Sequence, residues 1–221
     1  MTTLTPLEQA RFNMIEQQIR PWDVLEQSVL EQLVVVKRED FVPAAQRAYA
    51  FVDMETPLPG GQAMLSPRVE ARALQDLHVQ KHEKVLEIGA GSGYMAALLA
   101  YRAKQVLTLE IVPELVALAR ANLQKAGFTN VEVRQADGAQ GAPADGPFDV
   151  IVLSGSVAEV PPALLSQLKV GGRLFAVVRH EPVMRATFIT RTGESAYGTV
   201  QPWDTEAPRL QHFPEPSTFT F

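Results

Sequence analysis

The residues best suited to chemistry form one run, Val85-Leu86-Glu87-Ile88-Gly89-Ala90-Gly91-Ser92-Gly93. An apolar strand-like stretch runs into alternating glycines, and a helix-forming stretch follows. Glycine at such a turn lets the chain reverse tightly and lets a ligand touch backbone. A nucleotide-type ligand at the carboxyl end of the strand is the physical expectation. The next strand ends in Glu110, followed by Ile111, and a carboxylate there can accept both hydroxyls of a ribose. A third strand leads into Gln135-Ala136-Asp137-Gly138. An Asp at that place can reach an adenine amino group, although Asp-Gly is also a common plain turn.

The spacing narrows the ligand class. A dinucleotide fingerprint wants glycine at 89, 91 and 94, but position 94 is Tyr and the third glycine is Gly93. No Gly-Lys-Ser/Thr follows, which excludes a P-loop. A nucleophile elbow centred on Ser92 fails because Ala90 and Tyr94 stand where its glycines belong. An acidic residue two places before the first glycine resembles the S-adenosylmethionine loop. That cofactor has an ammonium and a carboxylate where a dinucleotide has pyrophosphate. Glu87 can hold the ammonium, directly or through water, and would repel a pyrophosphate. The candidate cofactor-binding residues are Glu87, Gly89, Ala90, Gly91, Ser92, Gly93, Glu110, Ile111, Asp137 and Gly138.

These residues need elements to place them. From residue 84 onward, strands alternate with helices, which implies a parallel sheet covered on both faces. The strands are read at Val85–Ile88, Gln105–Leu109 running on to Glu110, Val131–Val133, Phe148–Leu153 and Arg173–Val178. Weaker strands are read near Ala186–Arg191 and Ser195–Val200. Helices are read from Pro113 to Ala126, stopped by Gly127, and from Pro161 to Leu168. Before residue 75 the chain reads as helical. Thr5-Pro6-Leu7-Glu8 is a capping box, and Pro21 should stop the helix it opens. Asp23 should cap a second helix running to about Val36, and Ser66-Pro67 a third, with Val69, Ala73, Leu74 and Leu77 facing inward. The tail from Pro202 is expected to wrap the surface, and Phe219-Thr220-Phe221 to be an edge strand or apolar plug.

Composition sets outer bounds. The 221 residues allow one ordinary α/β domain with a short appendage. Twenty Lys+Arg against twenty-five Asp+Glu give a net charge of -5, so a nucleic-acid surface is not expected. The absence of cysteine excludes disulfides, thiol catalysis and Cys-ligated metal centres. Met1–Gln18 shows no signal-peptide pattern, and no apolar run is long enough for a membrane span, so a cytoplasmic location is expected. His78 and His82 are four apart but lack an evident third ligand, so no metal site is expected. Trp22 either packs helices or meets a peptide. Ser154-Gly155-Ser156 is either a ligand-side contact or a small turn, and Arg179 and His180 are weaker anion contacts.

The ordered set of motifs resembles the protein-L-isoaspartate O-methyltransferase family over nearly the whole chain. Arg38-Glu39-Asp40-Phe41-Val42-Pro43 is similar to that family's proline-arginine-glutamate-x-phenylalanine-valine-proline segment. Pro57-Leu58-Pro59-Gly60-Gly61-Gln62 is similar to its run into a glycine-glutamine loop. Val85 to Tyr94, Asp137-Gly138, Pro147-Phe148-Asp149, Val160-Pro161 and Gln167 to Leu174 continue in the same order. The resemblance implies an α/β, Rossmann-like, seven-stranded methyltransferase fold. Residues 1–78 would be an N-terminal helical extension with the glycine-glutamine loop, packed on a cofactor-binding domain of residues 79–221. It implies S-adenosyl-L-methionine as cofactor and isoaspartyl proteins or peptides as substrate, in protein repair, by a monomer or dimer. By carry-over, Glu87 and the glycines line the methionine end, Glu110 the ribose, and Asp137 and Gly138 the adenine. Methyl transfer is then an in-line displacement at a sulfonium methyl.

The chain departs from the family at the acceptor side. Where the family reads glycine-glutamine-threonine-isoleucine-serine, this chain reads Gly61-Gln62-Ala63-Met64-Leu65, and the nearest hydroxyl is Ser66. Ser66 reads either as a displaced active hydroxyl or as a helix cap. Gln62 and Ser66 are the candidate catalytic residues, and Leu65 and Ser154 the candidate substrate contacts. Gln211-His212-Phe213-Pro214 replaces an arginine-phenylalanine-valine-proline-leucine run. Two alternatives stay open: transfer to a different acceptor, and cofactor binding without chemistry.

Overall fold

Helical order begins at Thr5, whose hydroxyl accepts the Glu8 N–H while the Glu8 carboxylate takes the Thr5 N–H at 2.8 Å. This closed capping box opens α1, Pro6–Met14. The computed structural model describes residues 4–180 and 183–215; the expected plug at Phe219–Phe221 and the side chain of His180 lie outside that description. Pro21 does not end α1 directly. A wide π turn, Ile15–Ile19, and a tight turn, Arg20–Trp22, intervene, and Asp23 follows in the left-handed region at φ 60°.

That conformation removes Asp23 from the capping role. Helix α2 spans Gln27–Val35 with Glu26 at the N-cap and no side-chain cap of its own. The cover comes from elsewhere: Gln75 Oε1 accepts the N–H groups of Leu25 and Glu26 at 2.7 and 2.9 Å. A two-stranded hairpin, β1 (Thr56–Pro57) and β2 (Ala63–Met64), carries the glycine-glutamine loop. It leads into α3, Pro67–Leu77, where Val69, Ala73, Leu74 and Leu77 are buried as their spacing requires. Ser66 occupies the N-cap position of α3, but its side chain makes no capping bond.

The sheet has seven strands in the order β5-β4-β3-β6-β7-β8-β9. They are β3 (Lys84–Ile88), β4 (Gln105–Glu110), β5 (Val131–Gln135), β6 (Phe148–Val157), β7 (Leu168–His180), β8 (Val183–Arg191) and β9 (Tyr197–Asp204). The first five of these in chain order pair in parallel, and β8 and β9 close the sheet antiparallel. Helices α4 (Tyr94–Arg102), α5 (Pro113–Lys125) and the short α6 (Pro162–Leu165) connect the parallel strands. Helix α6 is shorter than expected because Gln167 leaves the helix and spends its amide on Ala142, Gln140 and Ala163.

Alternation along each strand sorts side chains to two faces. Val85, Val106, Val150, Val152 and Phe175 meet the N-terminal helices, α4 and α5. Leu86, Ile88, Leu107, Leu109, Ile151 and Leu174 meet α6, the segment after β5 and Phe213 of the tail. One expectation changes at the carboxyl edge. Strand β6 runs on to Val157, so Ser154-Gly155-Ser156 is strand and not a turn. Its added partner is the tail: Ser156 N–H donates to Pro208 O at 2.7 Å, Leu210 N–H to Ser156 O at 3.0 Å, and Ser156 Oγ to Ala207 O at 2.8 Å. After β9 the tail is thus a strap across the strand ends.

Candidate active site

The order of the sheet reverses between β3 and β6, and ligands in open α/β sheets sit at such a point outside the carboxyl ends of the strands. Glu87 is there, fully buried, on the face that looks toward α3. Its Oε1 accepts the Ser154 hydroxyl at 2.7 Å; its Oε2 meets no donor at hydrogen-bond geometry. Burial pushes its carboxyl up to about 8, against the neighbouring hydroxyls of Thr108 and Ser154, and the Glu70 and Glu110 carboxylates push it the same way.

The loop after Glu87 is held from β4. Gly89 and Ala90 donate their N–H groups to Leu109 O at 2.8 and 3.3 Å. Gly89, Gly91 and Gly93 have φ of 92°, 53° and 86°, a region that residues with side chains rarely adopt. Glu110 receives the Gly91 N–H on Oε2 and the Val112 N–H on Oε1, both at 2.9 Å. Its carboxylate therefore orients the loop, and each oxygen keeps a lone pair for a further donor.

Two spaces meet at Gly89. One is a narrow crevice of about 40 Å³ bordered by Gln62, Gly89, Glu110, Ile111, Asp137 and Gly138, and roofed by Leu210, Gln211 and Phe213 of the strap. The other is a cavity of about 20 Å³ between Ala63–Leu65 and Gly89–Ser92, with Glu70 and Ser154 at its sides. A nucleoside bearing an amino-acid tail would cross from the first to the second over Gly89. Nucleoside-sized pockets hold roughly 300–1,000 Å³, so the strap must yield for such a ligand. Gly138 is fixed by space: a Cβ there would come within 2.3 Å of Ile88 Cγ2.

Asp137 sits at the crevice mouth. Its Oδ1 accepts the Ala139 N–H at 3.0 Å, and its Oδ2 lies 2.8 Å from His212 Nδ1. The backbone bond from Ala139, and then His212, hold its carboxyl below the usual range. Gly93 turns away from both spaces: an added Cβ would meet Ala119 O and Leu123 at 3.2 Å, so this glycine lets α5 pack closely.

Ser66 also turns away. It lines a larger cleft of about 1160 Å³, shared with Arg68, Arg179 and the acids Asp53, Glu55, Asp204 and Glu206. Leu65, its neighbour, is buried against the loop cavity. No hydroxyl from 62–66 borders that cavity; Ser92, Tyr94 and Ser154 do. Trp22, partly exposed, ties the turn after α1 to α3: the Arg68 guanidinium stacks 3.9 Å above its ring, and Arg68 pairs with Asp53 at 3.2 Å. His78 lies 3.9 Å from Glu26 across a helix end.

Sequence reasoning passed over three participants. Glu70 is buried in α3 and ion-paired with Arg38, itself only 1% exposed, while Arg38 Nη2 donates to Leu65 O at 2.8 Å. Burial outweighs that partner and pushes the Glu70 carboxyl up to about 7. The spacing that puts Glu70 on the inward face with Ala73, Leu74 and Leu77 is legible in the sequence, but its partner is not. The third participant is the strap, whose Leu210 lies where a Cβ on Gly89 or Gly155 would come within 3.0 or 2.8 Å of it.

Comparison with known proteins places the chain among related sequences. Residues 9–200 match the family model of protein-L-isoaspartate(D-aspartate) O-methyltransferase. A protein-L-isoaspartate O-methyltransferase of Koribacter versatilis is 39% identical over 188 residues, 85% of this chain and 84% of that protein. A protein-L-isoaspartate O-methyltransferase 2 of Marinobacter nauticus is 41% identical over 192 residues, 86% of this chain and 88% of that one. In fold, the chain is similar to a Plasmodium falciparum structure described as a protein-L-isoaspartate O-methyltransferase in complex with S-adenosyl-L-homocysteine. The TM-score is 0.80 at 18% identity, covering 94% of this chain and 99% of that one.

Proposed function

The chain belongs to the protein-L-isoaspartate(D-aspartate) O-methyltransferase family, and from that premise we propose that it is an S-adenosyl-L-methionine-dependent carboxyl methyltransferase acting on isoaspartyl sites of proteins. One observation carries the cofactor reading: Glu110 and Asp137 border one of two small spaces that share Gly89 as a wall, and Glu87 lies buried behind Ser154 at the other, all three from neighbouring strand ends. The orphaned Oε2 of buried Glu87 asks for a cationic donor, which fits the ammonium of this cofactor and not a phosphate.

Glu110 holds the ribose hydroxyls while keeping the loop N–H of Gly91. Asp137 and the backbone at Gly138 hold the adenine edge. Gly89, Ala90, Gly91 and Ser92 present backbone to the methionine end. When bound, the cofactor supplies an electrophilic sulfonium methyl. The acceptor, an α-carboxylate with an ordinary pKa of about 3.3–3.7, is ionised at neutral pH, so the chain needs no strong base. Its residues instead align and dry the site: Leu65, Met64 and the Leu210 roof exclude water around the transfer point. Residues 1–78 form the acceptor-side extension to the cofactor-binding part, 79–221; in support, the cleft beside Ser66 has walls from both.

A second reading rests on Ala63 and Leu65, which leave the acceptor side of the loop cavity without the family's hydroxyls. It is transfer to another acceptor. Tritiated S-adenosylmethionine offered with an isoaspartyl peptide and its aspartyl control separates the two. Base-labile label on the isoaspartyl peptide alone supports the first. Tight S-adenosylhomocysteine binding without that label favours the second.

A further inference from the structure

Beneath the glycine loop the chain gathers more acid than base. Glu87 comes from β3, Glu110 from β4 and Glu70 from the first turn of α3. Glu110 is satisfied by two backbone N–H groups. Glu70 has one ionic partner, Arg38, whose guanidinium also holds Leu65 O and lies 5.2 Å from the Tyr94 ring centre. The next buried pair, Arg11 with Glu39, is closed on itself. Thr108 and Ser154 bring only hydroxyls, and α4 brings the neutral phenol of Tyr94. Glu87 is left fully buried, with one oxygen on Ser154 and the other unpartnered.

A carboxylate so placed has no counter-charge within the described residues, and an uncompensated buried charge is costly. The free protein therefore keeps a proton on this group, in line with the upward shifts of Glu87 and Glu70. The cavity that Glu70 borders is bounded on its other side by the glycine loop and by Ser154, the residue that fixes Glu87. A cation in that cavity meets Glu70 directly, with Glu87 one residue behind, on the far side of Ser154.

We propose that Glu70 and Glu87 together seat the cofactor's ammonium, and that the ammonium arrives in exchange for a proton. The step balances simply: one carboxyl O–H bond breaks, the proton goes to buffer, and the new carboxylate pairs with an ammonium that stays fully protonated. The proposal rests on the cofactor reading above but not on the identity of the acceptor. It adds a second acid from the helical extension to the cofactor site. It also couples cofactor affinity to pH, with binding tightening as pH rises toward 8.

The test is calorimetry of the full chain with S-adenosylhomocysteine at pH 7 in three buffers of different ionisation enthalpy. The slope of heat against ionisation enthalpy should show close to one proton released, about 0.5–1 per ligand. Glu87→Gln, a neutral isostere of the protonated group, should abolish the release and weaken binding at least tenfold. Glu70→Gln should lower both release and affinity for this ligand. It should leave 5′-methylthioadenosine, which lacks the ammonium, within about twofold. A merely structural role for Glu70 would weaken both ligands alike, and that result overturns the proposal. Binding without proton release overturns it as well and leaves the cofactor reading standing. Failure of the wild-type chain to bind S-adenosylhomocysteine overturns both.

Discussion

Ser154 donates its hydroxyl to Glu87 across 2.7 Å, tying β6 to β3 where the order of the sheet reverses. This bond lies beneath the glycine loop that follows β3. It fixes one oxygen of a fully buried carboxyl and leaves the other without a hydrogen-bond partner. The arrangement sets several measurable consequences.

Replacing Glu110 removes the brace on Gly91 and, in the proposed function, the ribose acceptor. Glu110→Ala should weaken S-adenosylhomocysteine binding by about 1–3 kcal/mol, the worth of hydrogen bonds to a charged group. Titration calorimetry of the variant measures it directly, and unchanged affinity would remove Glu110 from the site.

Stability of the free protein should carry the signature of Glu87. Its carboxyl is raised from 4.5 to about 8 in the fold, so the folded state binds more protons than the unfolded one between those values. Stability from this group is full below about pH 4.5 and is lost as pH rises through 8. The loss is on the order of a few kcal/mol. Glu87→Gln should flatten the fall of Tm from pH 5 to 8 relative to wild type, and parallel curves would contradict the assignment.

The Arg38–Glu70 pair is buried on both sides, at 1% and 4% side-chain exposure. Arg38→Met leaves the Glu70 charge unpartnered and should cost about 3–5 kcal/mol in urea unfolding. Arg38→Met with Glu70→Leu, which removes both charges, should recover most of that loss. A double variant as unstable as the single one would show that packing, not charge, sets the cost.

The strap hangs from Ser156, which is fully buried and bonds Ala207 through its hydroxyl. Ser156→Ala should cost about 1 kcal/mol. It should also raise amide exchange at Leu210 more than at the interior strand residues Val85–Ile88. Equal exchange in both places would mean that the backbone bonds alone secure the strap.

Much of this was legible in advance. Alternating strands and helices give the parallel sheet, because period and punctuation are local properties. Glu110 and Asp137 border one crevice because the ends of successive strands in such a sheet must share one edge. The misses depend on contacts distant in sequence. Asp23 reads as a cap, yet its left-handed backbone turns it aside and Gln75, from α3, does the work. Strand β6 outruns its apolar stretch because β7 pairs with it again at Ser156 and Val157 and the strap adds hydrogen bonds at Ser156. Ser66 has the type of a cap and the position of one, but its side chain makes no capping bond. Glu70 was hidden by its charge, since an acid on an apolar helix face is intelligible only once Arg38 is seen against it.

The central claim is that the path over Gly89 seats a sulfonium nucleoside. A crystal structure of the chain with S-adenosylhomocysteine tests it most directly. The account predicts ribose hydroxyls on Glu110, the adenine amino group at Asp137, the ammonium facing Glu70 and Glu87, and Leu210 displaced from above Gly89. Density for the ligand elsewhere, or a closed crevice at saturating ligand, would contradict it.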